Sequence, residues 1–257
     1  MKKFKKILIV MSVLSTIISA PAYASTNLPF QVMSKEDVYR KDHSIVQVTN
    51  TFTVKDKNTG KRQSYEGKGS GFFITKDLVV TSYHVINKVE NQVSQSIGIS
   101  FGYAKINIFK NYYSKVIATD PAHDIAILKV ERTEPIEISV PLKLASLESI
   151  DTTPKFTFYG YPGEERRFRY TPADFIGYKS VGFVDSFNNT SYNIPVIAFT
   201  GVIYKGNSGG PLLNDKGEVV TLVGFSNEEI DDHGGNETYG LDPKIFQEFV
   251  TPYIQNK

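Results

Sequence analysis

From residue 44 to 54 the apolar side chains Ile45, Val46, Val48, Phe52 and Val54 fall largely at alternate positions, the period of a strand with one face on a core. Lys57, Asn58, Thr59 and Gly60 then supply a turn, and a second strand is expected to run toward Gly69. Short strands separated by turn signals continue to Val130, including the β-branched run that leads into Thr81. The segment from Glu134 to about Asp151, with Pro135 and Pro141, is expected to cross the surface between two halves. Beyond it, strands are predicted near residues 155–159, 178–184, 193–199, 211–213, 218–225 and 238–240. Asp242 followed by Pro243 marks a helix start, and Ile245, Phe246, Phe249, Val250, Tyr253 and Ile254 recur at helical spacing. That apolar face is expected to pack on the second group of strands.

The pattern changes at the amino end. Lys2, Lys3, Lys5 and Lys6 precede an apolar stretch from Ile7 to about Ile18, and Ala22, Tyr23 and Ala24 form a small-x-small site. This is the grammar of an export signal over residues 1–24, too short and too interrupted by Ser12, Ser15, Thr16 and Ser19 to serve as an anchor. Residues 25–42 read as a polar leader or short propeptide, 43–135 as a first β unit, and 136–257 as linker, second β unit and helix.

Signal removal alters the charge. Four lysines leave with residues 1–24, so Lys+Arg falls from 29 to 25 against 27 Asp+Glu, and the formal charge moves from +2 to −2. The remaining chain has no clustered basic surface of the kind nucleic acid requires. With no cysteine it has no disulfide and no acylation site, so no lasting membrane association is expected after cleavage.

Candidate chemistry lies in the run Gly206, Asn207, Ser208, Gly209, Gly210, Pro211. Glycines on both sides of Ser208 free the backbone, so the N–H groups of Gly206 and Ser208 can converge beside the hydroxyl as an oxyanion hole. A serine nucleophile needs a base, and the base needs an orienting carboxylate. His84 ends the run Leu78, Val79, Val80, Thr81, Ser82, Tyr83, and Asp124 opens the apolar run Ile125, Ala126, Ile127, Leu128.

The order His84, Asp124, Ser208, with Gly69-Ser70-Gly71 upstream, resembles the chymotrypsin-like serine peptidases. Gly160, Tyr161, Pro162 and Gly163 extend the likeness toward the secreted glutamyl-endopeptidase and exfoliative-toxin branch. HtrA-type peptidases share much of it but usually carry a PDZ domain after the peptidase, whereas this sequence stops at Lys257. The resemblance implies an all-β fold of two six-stranded antiparallel Greek-key barrels with a C-terminal α-helix. It implies a secreted, extracellular serine endopeptidase that forms an acyl-enzyme on a protein or peptide substrate, works as a monomer, and uses neither metal nor organic cofactor. Its imidazole must be neutral to act, so activity is expected to fall below about pH 6.5.

In glutamyl endopeptidases a histidine fifteen residues after the nucleophile and a threonine five before it hold the substrate carboxylate. Here those positions are Val223 and Ile203, and the site where trypsin-like enzymes carry an acid is Val202. A pocket without fixed charge disfavours an ionised side chain, so an apolar or aromatic residue before the scissile bond is expected. Val223, Gly224, Phe225 and Ser226 are expected to form the edge that pairs with substrate backbone. Asn207 replaces the aspartate that pairs with a freed N-terminus in digestive relatives, so that ion pair is not available. A toxin-like protein with a gated triad and an HtrA-like quality-control peptidase are the alternatives. His123, His43 and His233 are expected at the surface and Asp120 in a capping role. The acidic stretch Glu228, Glu229, Asp231, Asp232, Glu237 and the mixed-charge stretch Glu164, Glu165, Arg166, Arg167, Arg169 read as solvated loops.

Overall fold

The first predicted strand is β1 (Ile45–Lys55), and its first four residues are buried without alternation. A strand covered on both faces has no solvent side, so the period of two disappears where β1 meets a second layer. Beyond the turn at Gly60 follow β2 (Arg62–Phe73), β3 (Leu78–Ser82), β4 (Gln92–Phe101), β5 (Lys110–Asp120) and β6 (Ile125–Glu131). They close into an antiparallel barrel in the order β1-β2-β3-β6-β5-β4. Val48, Phe73, Val79, Ile99, Phe101 and Leu128 fill its interior. The computed structural model describes residues 43–101, 110–132, 139–150, 155–163, 169–185, 190–201, 203–226 and 237–255. All of these belong to one unit, Ser34–Lys257. The export signal, the leader, Val202, His233 and most of both charged stretches lie outside the described residues.

The second half contains β7 (Phe156–Gly160), β8 (Arg169–Ala173), β9 (Phe175–Asp185), β10 (Thr190–Thr200), β11 (Pro211–Leu213), β12 (Val219–Ser226) and β13 (Glu237–Leu241). Their order is β8-β7-β11-β12-β13-β10-β9, seven strands where six were expected. The extra strand arises at Asp174, which separates β8 from β9 within one extended run. Asp174 is held there by Thr200, whose N–H donates to its carbonyl at 2.9 Å and whose hydroxyl accepts its N–H at 2.9 Å. The two edge strands are thus halves of one bent strand. Charge-rich flanks and Pro172 hid β8 from the pattern, and Arg169, expected in a loop, is its first residue.

The linker is stitched to both halves. Val140 N–H bonds His43 O and Leu142 N–H bonds Phe73 O, while Lys143 O and Ala145 N–H bond the two sides of Val219. His43 is therefore buried, at 6% exposure, and not at the surface as its polar neighbours suggested. The C-terminal helix Pro243–Gln255 starts at Asp242, whose carboxylate accepts from Lys244 and Ile245 N–H at 2.9 and 3.3 Å. It packs against β12 and β13 as expected. It also reaches the first barrel, where the buried Phe246 ring lies 6.2 Å from that of Phe72.

Candidate active site

β3 and β6 pair antiparallel, with Ser82 opposite Ile125, so the residues just beyond this end of the ladder become neighbours. After Ser82 the chain makes one helical turn, Tyr83–Ile86, which carries His84. Before Ile125 it makes a 3-10 turn, Pro121–His123, capped by the Asp120 carboxylate through the N–H groups of Ala122 and His123. Asp124 ends that turn in the left-handed region, at φ 52° and ψ 42°, a conformation aspartate tolerates better than most residues. The kink directs its carboxylate back to the neighbouring strand end.

Asp124 is 1% exposed, and a buried carboxylate requires donors. His84 supplies two: its backbone N–H to Oδ1 and its ring Nδ1 to Oδ2, each at 2.7 Å. Tyr83 N–H adds a bond to the Asp124 carbonyl at 3.1 Å. The imidazole is held at its backbone and at one ring nitrogen. His123 instead pairs through Nδ1 with Asp120 at 2.7 Å and stays a third exposed, away from this pair.

The Ser208 loop is fixed from several directions. Gly209 N–H bonds Val223 O at 2.7 Å, Val223 N–H bonds Gly210 O at 2.8 Å, and Ser70 N–H bonds Ser208 O at 2.8 Å. Asn207 N–H bonds Tyr204 O at 3.0 Å, and the Ser70 hydroxyl donates to Gly206 O at 2.6 Å. Gly206 has φ +100°, and a β-carbon there would lie 2.5 Å from Tyr161 O, so only glycine fits. Among the described residues the N–H groups of Gly206 and Ser208 have no hydrogen-bond partner. Gly206 is buried, which makes its unpaired donor an invitation to an acceptor.

The Ser208 hydroxyl donates to Gly224 O at 3.4 Å, a long bond, and not to His84. Gly224 connects the two clusters, since a β-carbon built on it would lie 3.5 Å from Asp124 Oδ2. Phe225 and Phe183 place their rings 6.0 and 6.4 Å from the His84 ring and 4.9 Å from each other, an aromatic wall beside the imidazole. Phe183 carried no signal that could separate it from an ordinary strand phenylalanine.

Of the five candidates for substrate contact, Gly224, Phe225 and Ser226 are half-buried on β12 beside the loop. Val223 departs from expectation. It is 1% exposed, its side chain belongs to the second core, and both its backbone groups are spent on Gly209 and Gly210, so it cannot pair with substrate backbone. Ile203 packs partly buried on that same core.

Residues 69–222 match the family described as the trypsin-like peptidase domain, and the chain belongs to that family. Protease Do-like 8, chloroplastic, of Arabidopsis thaliana is 30% identical over 190 residues, covering 70% of this chain and 40% of its own. A probable periplasmic serine endoprotease, DegP-like, of Pseudomonas fulva is 30% identical over 169 residues, covering 63% of this chain and 30% of its own. The chain thus spans about a third of the length of the curated relatives it matches. Among solved structures, the active form of Rv3671c protease from M. tuberculosis superposes with a TM-score of 0.64 at 23% identity over 96% of each chain, a likeness of fold. These relatives do not support the glutamyl-endopeptidase and exfoliative-toxin branch.

Proposed function

We propose that this trypsin-like peptidase is an exported serine endopeptidase with Ser208 as nucleophile, His84 as its general base and Asp124 as the carboxylate that orients the base. The observation that carries the reading is the doubly bonded His84–Asp124 pair beside a serine loop with two unpaired N–H groups. With Nδ1–H donated to Asp124, Nε2 is left as the basic nitrogen. A turn about the Ser208 Cα–Cβ bond, a motion of the picosecond to nanosecond range, carries the hydroxyl from Gly224 O toward His84. Catalytic hydrogen bonds are often long before substrate arrives.

The hydroxyl proton then passes to His84 as the oxygen attacks the amide carbonyl, and the developing oxyanion takes the N–H groups of Gly206 and Ser208. His84 returns the proton to the leaving amine, and a water repeats the sequence to release the acid. Once the hydroxyl has turned, Gly224 O is free to accept a backbone N–H of the substrate. The partly buried, apolar Ile203 and the Phe183–Phe225 wall favour an apolar or aromatic residue before the scissile bond.

The Do-like and DegP-like relatives favour the HtrA-like reading over the toxin-like one: an envelope or extracellular peptidase acting on unfolded chains, directed there by the export signal in residues 1–24, which is then removed. A fluorophosphonate probe should label Ser208 in the wild type and neither Ser208→Ala nor His84→Ala. An unlabelled wild type sinks the reading. A peptide library should show apolar or aromatic preference, and dominant cleavage after Glu, Asp, Arg or Lys overturns the specificity. In size-exclusion chromatography a trimer supports the HtrA-like reading and a monomer a free-standing secreted peptidase.

A further inference from the structure

We infer that Ser70 is a positioning residue for the oxyanion site, acting through Gly206; the inference rests on the roles of Ser208 and Gly206 proposed above. Ser70 lies on β2 of the first barrel and is fully buried. Its hydroxyl touches two loops of the second half, Gly206 O at 2.6 Å and Tyr161 N–H at 2.9 Å. A carbonyl only accepts and an amide N–H only donates, so the hydroxyl hydrogen points at Gly206 and its lone pair at Tyr161. Ser70 backbone N–H holds Ser208 O, while Ser70 O accepts from the Thr81 hydroxyl at 2.7 Å. One residue thereby grips the carbonyls on both sides of Asn207. The neighbouring Gly160 leaves the room, since a β-carbon on it would lie 2.8 Å from Ser70 Oγ.

The direction of the Gly206 N–H follows from two peptide planes. Lys205 O accepts from Gly163 N–H at 2.7 Å, and no peptide bond is cis. In a planar trans peptide the N–H points opposite the carbonyl, so the Gly206 donor is turned away from Gly163. The Ser70 hydroxyl pins the following plane, between Gly206 and Asn207. Asn207 N–H, bonded to Tyr204 O at 3.0 Å, holds the same plane at its other edge, so loss of the Ser70 hydroxyl removes one of its two bonds and widens the range that glycine explores. Loss of the hydroxyl also leaves a buried carbonyl and a buried N–H unsatisfied, which pushes the loop toward other arrangements. Ser70 therefore acts on the donor that is used as charge develops, and on substrate affinity very little.

Ser70→Ala should lower kcat about 10- to 100-fold, short of complete loss of one oxyanion donor, with KM within about twofold. Affinity for a peptide boronate, whose tetrahedral adduct uses the hole, should fall in step with kcat/KM, while affinity for the cleaved product peptide should not move. Thr81→Val, which removes the bond to Ser70 O at a hydroxyl that lies against Gly209 but leaves the Ser70 hydroxyl on Gly206 O, should lower kcat and boronate affinity by less than Ser70→Ala does. A folded Ser70→Ala enzyme with kcat and boronate affinity within about threefold of wild type overturns the inference. Should Ser70→Ala fail to fold, a crystal structure of the wild-type fluorophosphonate adduct decides. Ser70 Oγ still bonded to Gly206 O supports the inference; the phosphoryl oxygen bound by Gly206 N–H after that bond has broken overturns it. Wild-type labelling is measured first, so failure of the functional reading is distinguishable from failure of Ser70 alone.

Discussion

Asp124 is the residue through which sequence, backbone and chemistry meet most directly. Its left-handed conformation turns the carboxylate toward His84, and both oxygens are engaged there. Asp124→Asn keeps the shape but offers one acceptor and one donor, so either the backbone N–H or the ring Nδ1 of His84 faces an amide hydrogen. kcat is expected to fall by about 10⁴ with KM little changed, as in triads where the wrong tautomer is favoured; steady-state kinetics on the preferred peptide checks this. Gly206→Ala puts a methyl 2.5 Å from Tyr161 O at a φ closed to alanine. It should cost about 10²- to 10³-fold in kcat through the displaced donor and lower Tm as well. The triad candidates were legible because each lies in a distinctive local frame, and His84 is also one of only four histidines. Ser70 was visible between two glycines yet had no assignable role, because its partners lie 91 and 136 residues away.

Element by element, the strand pattern was readable where one face is buried and the other wet, and faded where strands lie between two layers or bend. β3 is buried throughout, so its ends came from flanking polar residues, and β8 escaped because a proline and basic flanks mask its pairing with β7. The β10–β13 ladder illustrates a consequence no periodicity announces. Tyr239 donates to Glu237 Oε2 at 2.6 Å, and Lys179 pairs with the other carboxylate oxygen. Burial, then the Glu237 carboxylate, push the Tyr239 hydroxyl up to about 12. The fold keeps this proton where the unfolded chain, titrating near pH 10, has lost it. The stabilisation is therefore complete below about pH 10 and is lost as pH rises through about 12. Because the ring is partly exposed, the effect is screened and modest. Tyr239→Phe should flatten the decline in urea midpoint between about pH 9 and pH 11.5 relative to wild type; equal slopes would remove Tyr239 from the alkaline response.

The candidate site belongs to the whole molecule, because His84 and Asp124 come from the first barrel and Ser208 from the second half. Its geometry therefore depends on what keeps the two together. Among the described residues the seam is crossed by the linker through His43, Phe73 and Val219, by the Ser70 contacts to Tyr161, Gly206 and Ser208, by the Tyr161 hydroxyl bonded to Ile45 O at 3.3 Å, by the Phe183 and Phe225 rings beside His84, and by the C-terminal helix. The helix binds Ala145 O through Gln247 at 2.7 Å and inserts Phe246 beside Phe72. Phe246→Ala removes a fully buried ring, a change that costs about 3–5 kcal/mol and, for a fold of this size, roughly 6–20 °C in Tm. The bonds that orient His84 and the Ser208 loop do not pass through Phe246, so kcat well below the new Tm should stay within about threefold of wild type. Loss of activity on warming should then track unfolding. With the helix spanning both halves, the wild type is expected to unfold in one calorimetric transition, and Phe246→Ala to bring the halves closer to melting apart. Two resolved transitions in the wild type would show that the seam does not couple the barrels. The catalytic geometry would then have to be held without the helix, by the contacts of Ser70, Tyr161 and the linker around the site.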